Sequence, residues 1–151
     1  MEIWSNSAPE VWRKGEKDGK VEQLGVNYPD AVQAWYVPKY LVEGKGAPAP
    51  DLKSVADLAK YKMLFKDPEE PSKGRFYNCI LGWSCEVINS KKLHAYGLDK
   101  DFTNFRPGTG AALSAVIESS IKRHKPIVFA RRNASQLSTQ NPAKYVASGM
   151  K

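Results

Sequence analysis

At 151 residues, with 42% apolar and 26% charged residues, the chain has room for one domain with a proper core and too little for two. It holds no run of about 18 apolar residues, which excludes a membrane-spanning helix. The net charge of +7 comes from lysines interleaved with Asp and Glu; only Lys122-Arg123-His124-Lys125 and Arg131-Arg132 form short runs, so a solvated surface is favoured over nucleic-acid binding.

In chain order, Glu2-Ile3-Trp4 reads as the end of a strand. The start Met1-Glu-Ile-Trp has neither the basic nor the apolar region of a signal peptide, so the expectation is a mature form, an excised segment or a cytosolic chain. Ser7-Ala-Pro9-Glu10 has the form of a capping box and predicts a helix to about Lys17, stopping near Gly19. Val32 to Val37, aromatic and β-branched, predicts a strand; Pro38 opens a short helix over Lys39 to Glu43, and Gly44 to Pro50 is a loop. Ser54-Val-Ala-Asp57 repeats the capping pattern and opens a helix to about Tyr61, followed by an exposed connection from Asp67 to Gly74.

Arg75 to Cys79 should be a strand. From Ser84 the pattern turns helical, with Val87, Ile88 and Leu93 apolar and Gly97 closing it. Asp101 to Arg106 reads as a weaker strand. Gly108-Thr-Gly110 precedes a helix in which Leu113, Val116, Ile117 and Ile121 share one face. Pro126 to Ala130 is a continuous apolar strand, as in a sheet covered on both faces. This alternation predicts a three-layer αβα sandwich with a mostly parallel sheet. Residues 2–130 are expected to form a single folded unit, and the polar tail 131–151 is expected over the surface or partly disordered.

The stretch Cys79-Ile-Leu-Gly82-Trp83-Ser84-Cys85-Glu86 contains the chain's only two cysteines. A bridge between them would close a tight ring presenting Trp83 beside the backbone amides of Ser84 and Cys85. An indole face attracts a cation through its quadrupole, and free N–H groups take an anion. The pair of features suits a small ligand carrying both charges. A tryptophan so placed equally suits local packing over the bridge, and the cysteines could be reduced and inert in a cytosolic protein.

The element Gly82-Trp83-Ser84-Cys85-Glu86, with Cys79 six residues before Cys85, resembles the glycine betaine/proline substrate-binding proteins of ABC importers. Trp4, Tyr36-Val-Pro-Lys39, Ser54-Val-Ala-Asp-Leu58, Ala95-Tyr-Gly-Leu98, Gly110-Ala-Ala-Leu113 and Lys125-Pro-Ile-Val-Phe129 extend the resemblance over roughly residues 2 to 129. It implies one lobe, the second and inserted one, of a type II periplasmic binding protein. Such proteins clamp quaternary ammonium osmolytes between two lobes in a box of aromatic side chains. By the same resemblance Trp83 and Trp4 belong to the box, the amides around Ser84 and Cys85 hold the ligand carboxylate, and Gly82 counts among the ligand-binding residues. Cys79 and Cys85 match a disulfide pair, worth roughly 2–3 kcal/mol on the chain-entropy model. The implied setting is periplasmic or extracellular, against cytoplasmic for the chain as written. The implied partners are a missing first lobe or a second copy, and ABC transporter membrane subunits. The family places a further tryptophan where this chain has Arg131-Arg132-Asn133, and guanidinium groups beside a cation box oppose a quaternary ammonium.

No catalytic constellation is visible. The cysteine spacing is not C-x-x-C, and the two histidines and two cysteines make no zinc pattern, so neither a metal nor a cofactor is expected. His94 lies eight positions from Glu86, too far for a direct bond, and reads as a satisfied surface histidine. Gly108-Thr-Gly110 lacks the Walker lysine and the full G-x-G-x-x-G spacing, and reads as turn chemistry. Trp12 and Trp35 read as core residues. Three functions compete: a ligand-binding lobe, weak alone; an interaction module self-associating through its former cleft face; and a basic nucleic-acid-associated domain. Ligand-dependent tryptophan quenching, ligand-free dimerisation and a steep salt-dependent DNA affinity would separate them.

Overall fold

The apolar strand expected at 126–130 has a different layer packed on each of its sides. In a computed structural model of the chain, residues 9–26, 32–133 and 143–146 are described, positions 9, 32, 132, 133 and 143–146 by backbone only. The elements are α1 (Pro9–Lys17), β1 (Val32–Pro38), a 3-10 turn (Lys39–Leu41), a longer 3-10 helix (Val55–Phe65), β2 (Gly74–Tyr77), α2 (Ser84–Ala95), β3 (Phe102–Phe105), α3 (Gly110–Lys122), β4 (Val128–Asn133) and β5 (Ala143–Val146).

Side chains alternate across a strand, and β4 shows it. Val128 and Ala130 join Trp35, Val37, Phe76, Leu93 and both cysteines in the larger core cluster, on the α2 side. Ile127 and Phe129 join Ile117, Leu113, Val116, Ile121 and Tyr77 on the α3 side. The sheet is therefore the middle of three layers. Its order is β3-β2-β4-β1-β5, with β2 parallel to β3 and β4, and β1 antiparallel to β4 and β5. Four strands run one way and β1 alone runs against them. The β2–α2–β3 and β3–α3–β4 crossovers pass over opposite faces, so the chain direction switches between β2 and β4. In α/β sheets ligands bind at such a switch, beyond the carboxyl ends of the strands.

Four details depart from the sequence reading, each for a local reason. The helix opened by Ser54 is 3-10 over Val55–Phe65, because Val55, Leu58, Tyr61 and Leu64 recur every three residues and all meet the larger core. Its start is as expected: the Asp57 carboxylate accepts from the Ser54 N–H (2.9 Å) and Oγ–H (2.8 Å). The short helix after Pro38 is one 3-10 turn, Lys39–Leu41. The tail does not leave the sheet at residue 130: β4 continues to Asn133 paired with β1, and Ala143–Val146 pair with β1's other edge. Backbone N–H and C=O groups along an open edge need partners whatever side chains they carry. The rest of 131–151, like Trp4 and the Ser7 cap, lies outside the described residues.

The fourth departure is Asp67, expected in an exposed connection yet fully buried. It accepts from Arg75 Nη2 (2.7 Å) and Nε (3.1 Å) and from the backbone N–H groups of Glu69 (2.7 Å) and Glu70 (3.2 Å). The exposed part of that connection begins one residue later.

Gly74 opens β2 against a wall. A Cβ there would stand 2.5 Å from the Phe102 ring and 2.9 Å from the Lys62 carbonyl oxygen, and the latter is backbone. Gly74→Ala is expected to cost about 1–3 kcal/mol through overpacking. Urea denaturation would check it, and an unchanged midpoint would mean that β2 shifts freely.

Candidate ligand site

The connection from β2 to α2 starts at the carboxyl end of β2, on the switch-point edge. Cys79 and Cys85 form a disulfide across it, with Cα atoms 6.0 Å apart. Both half-cystines are buried in the larger core cluster, so the bridge fastens the loop from beneath. What stands outward is Leu81, Gly82, Trp83 and Ser84, with Trp83 42% exposed. Gly82 has φ +88, where a Cβ is unfavourable, although nothing lies near enough to clash with one. The glycine answers a backbone demand, and that backbone turn delivers Trp83 to the start of α2.

Trp83 is the N-cap of α2, and its indole makes no capping bond. Its carbonyl accepts from the Glu86 N–H at 2.9 Å, which tightens the first turn. The amides of Ser84 and Cys85 have no earlier helical carbonyl to bond. Aligned peptide dipoles add partial positive charge at this end. Val87, one of the apolar positions of α2, is 48% exposed; it follows Trp83 by four residues, so the two share a face that points out with Leu81. The result is an exposed apolar surface beside anion-attracting N–H groups.

Beneath the loop lies a polar network that sequence reasoning missed. Trp35 Nε1 donates to Asn89 Oδ1 (2.8 Å), and Asn89 Nδ2 donates to Asn78 Oδ1 (2.8 Å). Asn78 Oδ1 also accepts from the Cys79 N–H (2.7 Å), and its Nδ2 donates to Asn104 Oδ1 (2.9 Å). Asn104 Nδ2 reaches Ser90 Oγ (2.9 Å), which lies 2.9 Å from Glu86 Oε1. Arg106 Nε closes the chain on Glu86 Oε1 at 2.6 Å. The Arg106 hydrogen bond, helped by Ser90, holds the Glu86 carboxyl below the usual carboxylate range against its burial. Four elements thus meet under one loop. The available signal was Asn78 itself, an amide placed directly before Cys79 at the end of an apolar strand.

The remaining candidates fall elsewhere. Arg131 continues the Ile127–Phe129 side of β4, away from the half-cystines; burial pushes its pKa below the ordinary arginine value, and the negative charge of Glu118 on α3 offsets part of that. The Arg132 side chain and the whole of Trp4 lie outside the described residues. Trp35 is core as expected, whereas Trp12 is half-buried and belongs to neither core cluster. His94 Nδ1 lies 2.8 Å from Asp99 Oδ2 on the surface, and Thr109 caps α3 by accepting from the Ala112 N–H (3.1 Å).

Solved structures of ABC-transporter binding proteins share this fold over somewhat less than half of their own length. The glycine betaine/L-proline-binding protein ProX from Borrelia burgdorferi superposes with a TM-score of 0.68 at 22% identity, covering 91% of this chain and 46% of that one. Lactococcal OpuAC, closed on glycine betaine, gives 0.65 at 22% identity over 95% of this chain and 48% of its own. A choline-binding protein in complex with choline gives 0.65 at 17% identity, over 95% of this chain and 45% of that one. Residues 1–136 match the substrate-binding domain of ABC-type glycine betaine transport systems, and the chain belongs to that family. The glycine betaine-binding periplasmic protein OusX of Dickeya dadantii (strain 3937) is 28% identical over 126 residues, 83% of this chain and 36% of that protein. The chain therefore spans about half the length of these relatives or less. The family is one of binding domains, not enzymes. No helix among the described residues is long and apolar enough to cross a membrane.

Proposed function

We propose that the chain is a ligand-binding lobe for small quaternary ammonium zwitterions of the glycine betaine type. Trp83 offers its ring face to the cationic head, and the amides of Ser84 and Cys85 take the carboxylate. The observation that carries this reading is a half-exposed tryptophan at the N-cap of α2, on a loop bridged into the core at the sheet's switch point. Gly82 supplies the turn, and Trp4 belongs to the same box by family likeness. The relatives named for glycine betaine and choline support this ligand class. A second lobe would complete the cleft, with ABC membrane subunits downstream in an exported, oxidising setting that suits the disulfide.

A cleft ligand normally has most of its surface covered by protein, and one lobe supplies part of that cover. The isolated chain should therefore bind glycine betaine in the millimolar range or weaker, about −4 kcal/mol. Intrinsic tryptophan fluorescence should change saturably with betaine and stay flat in Trp83→Ala. Retained affinity in that variant would overturn the assignment of the site.

The outward face of Leu81, Trp83 and Val87 favours a second reading, self-association through the same surface. Sedimentation showing concentration-dependent dimers, with no response to betaine, would put that reading first.

A further inference from the structure

Glu86 poses an electrostatic problem for an anion at the start of α2. It is the only acidic residue in the first turn, three positions into the helix, and its side chain is 7% exposed. An ionised carboxylate there already answers the positive end of the helix and repels a second anion arriving at the amides of Ser84 and Cys85. Arg106 resolves the conflict from outside α2. It stands just beyond the carboxyl end of β3, with Nε 2.6 Å from Glu86 Oε1, Nη2 3.4 Å from Ser90 Oγ and Nη1 3.5 Å from the Asn104 carbonyl.

We propose that Arg106 determines ligand class at this site: by neutralising Glu86 it allows the first turn of α2 to accept a carboxylate-bearing ligand. The inference rests on the proposed betaine site and adds a residue that does not touch the ligand. A purely structural Arg106 would weaken every ligand alike. A charge-compensating Arg106 affects ligands with a carboxylate and leaves a carboxylate-free cation, such as choline, nearly unchanged.

The test is to titrate the full chain and its Arg106→Gln variant with glycine betaine and with choline, following tryptophan fluorescence. Arg106→Gln should lose roughly tenfold in betaine affinity, the scale of one uncompensated charge near a helix end, with choline within about twofold. Adding Glu86→Gln to Arg106→Gln should recover the betaine affinity, and Arg106→Lys should keep most of it. An equal loss for both ligands, or no recovery on adding Glu86→Gln, would overturn the proposal while leaving the site intact. A chain that saturates with neither ligand would instead overturn the site, and the proposal with it.

Discussion

Arg75→Met is expected to lower the free energy of unfolding by roughly 3–5 kcal/mol, because it strands a buried carboxylate. Asp67 is fully buried and takes two bonds from the guanidinium, and the Arg75 side chain is itself 9% exposed. The guanidinium also lies 4.5 Å over the Phe105 ring, so methionine keeps part of the packing while removing the charge. Burial alone would raise the Asp67 pKa, yet Arg75 and the Glu69 and Glu70 amides hold it well below the ordinary carboxylate range. A carboxyl depressed on folding contributes stability above its unfolded value, about 4, and that contribution fades as the pH falls toward the folded value. The unchanged protein should thus weaken progressively below about pH 4. In Arg75→Met the sign reverses, since the unpaired buried carboxyl titrates high and protonation relieves it. Urea melts at neutral and acidic pH would show the crossing. Asp67→Asn combined with Arg75→Met should recover most of the loss. If the single variant melts like the unchanged protein, the pair contributes no net stability.

Asn78→Leu should have the second largest effect, and it reaches the candidate site directly. Leucine has the same branching but leaves the Cys79 N–H, one proton of the Asn89 amide and the Asn104 oxygen without this partner, and its two methyl groups add bulk to a fully buried site. A buried polar group so stranded costs about 1–3 kcal/mol, and three sharing one site should together cost roughly 3 kcal/mol or more. Hydrogen exchange should rise in the first turn of α2 and across the bridged loop. A variant with unchanged exchange there would show that the disulfide alone fixes the loop.

The architecture was largely legible in the sequence because its signals are periodic. Leu113, Val116, Ile117 and Ile121 mark α3, and all four pack against the β4 face that carries Ile127 and Phe129. The apolar run at 126–130 implied cover on both faces, and each face has it. Of the site, Trp83 and the cysteine pair were legible because their spacing is distinctive. What supports them was not. Asn78 follows β2, Asn89 and Ser90 lie on α2, and Asn104 and Arg106 lie on and just past β3; hydrogen bonds between segments so far apart in the chain leave no period. Asp67 escaped for a related reason: its neighbours Pro68, Glu69 and Glu70 do lie in solvent, and only its partner Arg75 draws it inward. The strand pairing of 143–146 escaped because an edge is completed by backbone groups, which every residue carries.

Burying both sulfurs of the 79–85 bridge has a chemical consequence as well as a mechanical one. Thiol–disulfide exchange needs a thiolate to reach a sulfur, and these half-cystines are 5% and 7% exposed. The outer loop presents an indole and peptide N–H groups, with sulfur kept behind them. Its stiffness is therefore not open to direct attack by dissolved thiols. Reductants reach it only when the protein itself opens, and the durability of the loop is set by the stability of the core beneath it.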